Sequence, residues 1–173
     1  MTPKYLSLKT AKTTKIGERT EGYIHYRVLS DQDQILYFNI TGNDDLGYYS
    51  KEVIPFEMIE HVIKDIKPDT AVSSVLFKKA FIGQSNNNAA FLAAILRNEK
   101  LLSPMTDAVR KHTVNAGWDD WKTDMLKLAA KAKPFEPELA KMKKLPTVTK
   151  DTVETVIEDS ELTDEDYELL QPK

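Results

Sequence analysis

Residues 70–83 read TAVSSVLFKKAFIG, and the fold of everything around them turns on how they are taken. Val72, Val75, Leu76 and Ala80 recur at helical spacing, and Asp69 is placed to cap a first turn. The same stretch is dense in β-branched and aromatic side chains, which equally suit a strand. A helix here would complete a three-helix unit with its neighbours. A strand would extend a sheet and dissolve that unit.

Working outward, Pro55 suits the start of a helix, and Phe56, Ile59, Ile63 and Ile66 follow at spacings of three and four, with Glu60 four before Lys64. The spacing predicts a helix over 55–66, broken by Lys67-Pro68-Asp69. On the other side, Gly83-Gln84-Ser85 ends the ambiguous stretch and NNNAAFLAAILRNEK begins a second helix over 86–99, rich in Ala and Leu with asparagines at its orphan N–H end. Beyond it come Leu101-Leu102-Ser103-Pro104, a short turn at 105–107 and AVRKHTV, which alternates as a strand does.

Upstream, residues 22–41 alternate strictly. Ile24, Tyr26 and Val28 share one face, SDQD makes a turn, and Leu36, Phe38 and Ile40 repeat the pattern, so an antiparallel β-hairpin is expected. Its other face carries Tyr23, His25, Arg27, Ile35, Tyr37 and Asn39, and the turn-rich TGNDDLGYYS leads toward a short strand at 51–54. Downstream, Trp118, Trp121, Met125, Leu128 and Ala132 form one stripe. Asp119, Asp120 and Asp124 stand early and Lys127, Lys131 and Lys133 late, which complements a helix dipole over 118–132.

The expected fold class is therefore α+β. The chain has 173 residues and a net charge of −3, but charge is unevenly spread. Residues 151–173 hold nine carboxylates against Lys173 alone, a balance of −8, which leaves 23 basic and 18 acidic residues, or +5, for 1–150. The organisation expected is a basic, mobile N-terminus at 1–19, a single domain at 20–133, a linker at 134–150 and an acidic tail at 151–173. Apolar residues at 41% support a real core, and the chain has no cysteine, which removes thiol and disulfide chemistry and fits a reducing cytoplasm. No apolar run suggests a signal peptide or a membrane span.

From 55 to 114 the order of helix, helix, tight turn, helix and two extended pieces matches a winged helix-turn-helix, with 86–99 as recognition helix and 100–114 as wing. The phrase FLAAILRNEKLLSP followed by AVRKHTV resembles winged helix-turn-helix DNA-binding proteins where the recognition helix turns into the wing. Such proteins often carry glycine before the wing, and this chain has Lys100. The resemblance implies duplex DNA as partner, with Asn86, Asn87 and Asn88 at the leading end of the helix as readers of adenine, and Arg97, Arg110, Lys111 and His112 near phosphates. The plainer readings are a helix cap for the asparagines and a solvated strand end for Arg110-Lys111-His112.

Other chemistry is sparse. His25, His61 and His112 fall in separate segments, Glu57 and His61 make an ordinary helix-face pair, and no phosphate-loop, dinucleotide or serine-hydrolase motif is present. No catalytic residue, metal ligand or cofactor is expected. The outer hairpin face would suit stacking of unpaired bases, or else packing against the 118–132 helix or a second copy in a homodimer. The function expected is a cytoplasmic DNA-binding protein, a transcriptional regulator or a replication accessory factor. The alternative is a protein-interaction adaptor or inhibitor docking through its helices and acidic tail.

Overall fold

The computed structural model describes residues 4–17, 21–83 and 85–135. The chain divides into two units, Met1–Lys143 and Lys144–Lys173. The second unit, with the acidic tail, lies outside the described residues, as does the expected linker beyond Phe135.

The fold is α+β, built on two antiparallel sheets. The expected hairpin is present as β2 (Tyr23–Ser30) and β3 (Leu36–Asn43), and its alternation sets which side chains face inward. Ile24, Tyr26, Val28, Leu36, Phe38 and Ile40 are all buried. The short strand foreseen near 51–54 is β4 (Val53–Pro55), paired to β3. On the other side of β2 lies β1 (Tyr5–Thr14), a strand formed by the stretch expected to be mobile. Its Lys- and Thr-rich composition hides a strand whose inward residues Ala11 and Thr13 sit opposite Tyr26 and Ile24. β8 (Lys133–Phe135) completes the sheet in the order β4-β3-β2-β1-β8, so residues 134 and 135, expected to open a linker, are an edge strand on Tyr5, Leu6 and Ser7. Pro134 is tolerated because an edge position needs no further ladder donor.

The 70–83 stretch is neither of the two expected forms alone. Val72–Ser73 is β5, a two-residue strand, and Ser74–Ala80 is a 3-10 helix. Asp69 does not cap it; the Ser73 side chain accepts the Val75 N–H instead, at 3.4 Å. Ser74, Phe77 and Ala80 are all buried and spaced by three, the repeat that a 3-10 turn stacks on one side. This stretch joins α1 (Phe56–Ile63) to α2 (Asn86–Asn98), after which β6 (Leu102–Met105) and β7 (Ala108–Val114) form a hairpin. β5 pairs with β7, giving a second sheet in the order β5-β7-β6.

α2 is apolar almost all round and is buried accordingly, through Ala89, Leu92, Ala93, Ala94, Ile95 and Leu96. It ends in a Schellman motif: the Lys100 N–H bonds the Arg97 carbonyl at 3.0 Å and the Leu101 N–H bonds the Leu96 carbonyl at 2.9 Å. Lys100 takes the left-handed conformation there, φ 64°, in the place where glycine is usual. The Asn115 side chain holds it by donating to the Lys100 carbonyl at 2.8 Å.

α3 (Trp118–Lys127) runs on as a 3-10 turn over Leu128–Lys131, so the predicted 118–132 helix is α-helical for its first ten residues only. Its two tryptophans form the seam with the rest. Trp118 stacks on Phe56 at 5.4 Å between ring centres, and Trp121 stacks on Phe56 at 4.8 Å and on Phe38 at 5.4 Å. This seam lies on the inner face of the sheet. The helix therefore does not cover the outer face of the hairpin, contrary to one of the two covers expected for it.

Candidate functional site

Strand register places a defined set of residues on the face of the large sheet away from the helices. Cross-strand partners share a face, so Thr14 and Tyr23, Lys12 and His25, Thr10 and Arg27, and Ser7, Leu29, Tyr37 and Lys133 all belong to it. Tyr5, Phe135, Asn39, Val53 and Pro55 follow by the same rule. No strand residue on this face carries a carboxylate, while Lys12, Arg27 and Lys133 are cationic.

The cations are seated on rings. Lys12 Nζ lies 4.2 Å from the centre of the Tyr23 ring, and the Arg27 guanidinium lies 4.4 Å from that of Phe135. Arg27 Nε is buried and has no hydrogen-bond partner. One corner of the face is closed: Tyr5 meets Tyr37 edge-on at 5.2 Å, Leu29 is buried, and the Asn39 amide donates to the carbonyls of Lys51 and Glu52. The Tyr37 hydroxyl donates to Asp31 at 2.7 Å, and burial first and this carboxylate second hold its pKa above the ordinary tyrosine value. The rest is open, and Thr10, Lys12, Thr14, Tyr23 and Lys133 are exposed.

Carboxylates stand at the ends of the sheet and are engaged. Asp44 accepts from the Tyr23 N–H at 3.0 Å and lies 2.6 Å from His25 Nε2; the His25 hydrogen bond is the main reason its pKa is lowered. Asp45 pairs with Lys15, which lowers its pKa in the same way. Between them and Tyr49 the loop tip presents Leu46, 95% exposed, and Tyr48, 78% exposed, on a turn fixed by the Asn43 side chain.

The residues expected to contact DNA are divided between surface and interior. Asn88 is 1% exposed and its carbonyl oxygen accepts the Ser50 N–H at 3.0 Å, so it closes the interior and cannot meet a base edge. Asn86 is half-buried with its Oδ1 buried and unpartnered, and Asn87 alone of the three is exposed. Arg97 and His112 are brought together, but inside: Arg97 Nε donates to His112 Nδ1 at 2.8 Å, and Arg97 also bonds the carbonyls of Val109 and Lys111. His112 is fully buried, which overturns its expected place beside a phosphate. Arg110 and Lys111 are half-buried on β7.

No family model, no curated protein and no solved structure matches this chain. Function must be argued from its own geometry.

His112 Nε2 lies 2.6 Å from Ser74 Oγ, a pairing that in an accessible cleft would suggest a nucleophile and its base. Here the proton is on the wrong nitrogen for that. Because Nδ1 accepts from Arg97, neutral His112 carries its hydrogen on Nε2 and donates it to Ser74, whose hydroxyl turns to the Arg110 carbonyl at 3.3 Å. Ser74 is also fully buried. The group is a clasp fastening α2 and the 3-10 helix to β7.

Burial, helped by the Arg97 charge, pushes the His112 pKa down to about 3. The unfolded chain binds this proton near pH 6.5 and the folded chain does not, so the stability from keeping His112 neutral is complete above that pH and is lost as pH falls toward 3. The slope from this one group approaches about 1.4 kcal/mol per pH unit. Urea midpoints from pH 7 to pH 4 should fall more steeply for the native chain than for His112→Gln. Parallel curves would show that folding does not lower the proton affinity of His112.

Proposed function

We propose that this chain binds nucleic acid, and that the contact surface is the open face of the five-stranded sheet. The observation that carries the reading is the seating of Lys12 on Tyr23 and of Arg27 on Phe135, on a face whose strands hold no carboxylate. Cations on aromatic rings offer charge to phosphates and an apolar plane to bases in one place. The +5 balance of residues 1–150 favours a polyanion without making the interaction indiscriminate. Contact through the leading end of α2 is disfavoured, since Asn88 is committed to Ser50. A role as a cytoplasmic accessory factor in transcription or replication fits a chain without cysteine.

Fluorescence anisotropy with a labelled oligonucleotide tests this. Binding should weaken with salt, and the double variant Lys12→Ala/Arg27→Ala should shallow the log–log salt slope by about two, one for each lost phosphate contact. An absence of binding at low salt removes the reading.

A second reading, a protein-interaction module, is favoured by one feature. Leu46 and Tyr48 are almost fully exposed on a turn already fixed by hydrogen bonds, as preorganised docking residues are. A nuclease-resistant complex lost on Leu46→Ser would support it over the sheet-face reading.

A further inference from the structure

Resting on the nucleic-acid reading, we propose that the ligand of the sheet face is an unpaired strand, held by stacking of its bases on Tyr23 and Phe135. A duplex shows its base edges in grooves and keeps base faces inside its own stack. A flat array of rings can exploit base faces only where the strand is single. The face is built for planes and not for insertion into a groove: it is a strand surface with no described helix on it. Gly42 stands across from His25, and a Cβ there would lie 3.4 Å from the imidazole Cδ2, so the missing side chain lets that ring lie along the sheet.

The two cation–ring pairs are separated along β2 by the distance from Tyr23 to Arg27, about 13 Å at strand rise. That span exceeds one nucleotide, so the two rings would serve different bases, with Lys12 and Arg27 at the intervening phosphates. Tyr23 is the more accessible ring, 39% exposed, and its backbone is pinned on both sides by Asp44, through its N–H and its carbonyl. It can present the ring without reordering. Asp44 is also engaged with His25. The exposed Thr10 and Thr14 hydroxyls lie on the same surface and add polar contacts without charge.

The test compares labelled oligothymidylate and oligouridylate of about twelve nucleotides, within the usual site size of such surfaces, with a duplex of the same length, using the full chain at one salt concentration. The expected result is that at least one of the two single strands binds at least tenfold more tightly than the duplex. Tyr23→Ala should weaken that strand about tenfold with the salt slope unchanged, whereas Tyr23→Phe should keep the affinity. Recovery by phenylalanine separates stacking from a folding defect. Duplex bound as tightly as either strand would overturn the inference while leaving the nucleic-acid reading standing, and so would a Tyr23→Ala variant that folds and binds as the native chain does. Failure of all three probes to bind would remove both.

Discussion

Replacing Phe38 with alanine should destabilise the fold by about 3–5 kcal/mol, among the largest losses available to a single substitution in this chain. Phe38 is fully buried at the middle of β3. Its ring stacks on Trp121 and lies 6.1 Å from Phe56 and 6.3 Å from Tyr26, so one side chain touches α1, α3 and β2 together. Removing it deletes the apolar surface of a whole ring and leaves a void bounded by three other rings. Rings are stiff and share their remaining contacts, so the site collapses poorly, and the cavity part of the penalty stays high. Phe38→Leu keeps most of the volume and should lose about 1.5 kcal/mol or less. Urea unfolding followed by far-UV circular dichroism measures both. A loss below about 1 kcal/mol for Phe38→Ala would show that α3 does not rest on this ring.

Glu99→Ala should rival it, with an expected loss of about 3–5 kcal/mol, for an electrostatic reason. Glu99 follows the last turn of α2 and its side chain is nearly inaccessible. Its carboxylate receives the Tyr26 hydroxyl, the Trp121 indole N–H at 2.9 Å and Lys9, whose Nζ lies 2.9 Å from both oxygens. Asn98 donates to the same tyrosine oxygen at 2.7 Å. One acceptor thus ties β1, β2, α2 and α3. Burial, then the hydrogen bond to Glu99, raises the Tyr26 pKa, so its hydroxyl remains a donor across the working pH range. Alanine at 99 would leave three donors without their acceptor, among them the buried Tyr26 hydroxyl, and that desolvation exceeds the net worth of the bonds themselves. Tyr26→Phe removes only one donor and should lose about 1 kcal/mol. Lys9 is about one-third exposed, and the Lys9→Met change should be the mildest of the group. If Glu99→Ala proved no worse than Lys9→Met, the network would carry no stability beyond that pair.

Glu99 and Phe38 also fix the surface proposed to bind. Both pack on the inner face of the sheet whose outer face carries that surface. Damage to either should weaken ligand binding only through unfolding.

The candidate site was partly legible in the sequence. Tyr23, His25, Arg27 and Tyr37 fall on one side of the hairpin by simple alternation, and that much needs no structure. Lys12, Tyr5, Lys133 and Phe135 were not legible as members of the same face. Their strands are short or poor in apolar residues; Lys12 is placed by its pairing with His25, and Tyr5, Lys133 and Phe135 by a pairing between residues about 130 apart in the chain, which local pattern cannot signal. The threonines at 10, 13 and 14 were the one available hint of a strand near the N-terminus. The Asn88 and His112 assignments failed for a related reason. Exposure of a polar side chain was inferred from its chemistry, whereas Ser50 and Ser74 arrived from elsewhere to satisfy Asn88 and His112 in the interior.

By itself the sequence determined the hairpin, α1, α2, the β6–β7 pair and the start of α3, because each has a period that repeats over several residues and buries one face wherever it is packed. Only the tertiary structure decided the rest: that Ser74–Ala80 winds as a 3-10 helix between β5 and α2, that Asn88 in the first turn of α2 is taken into the interior, and that the two ends of the described chain close the sheet beside one another. Those outcomes depend on which distant groups complete a hydrogen bond or fill a space, and such partners are chosen by the packed whole.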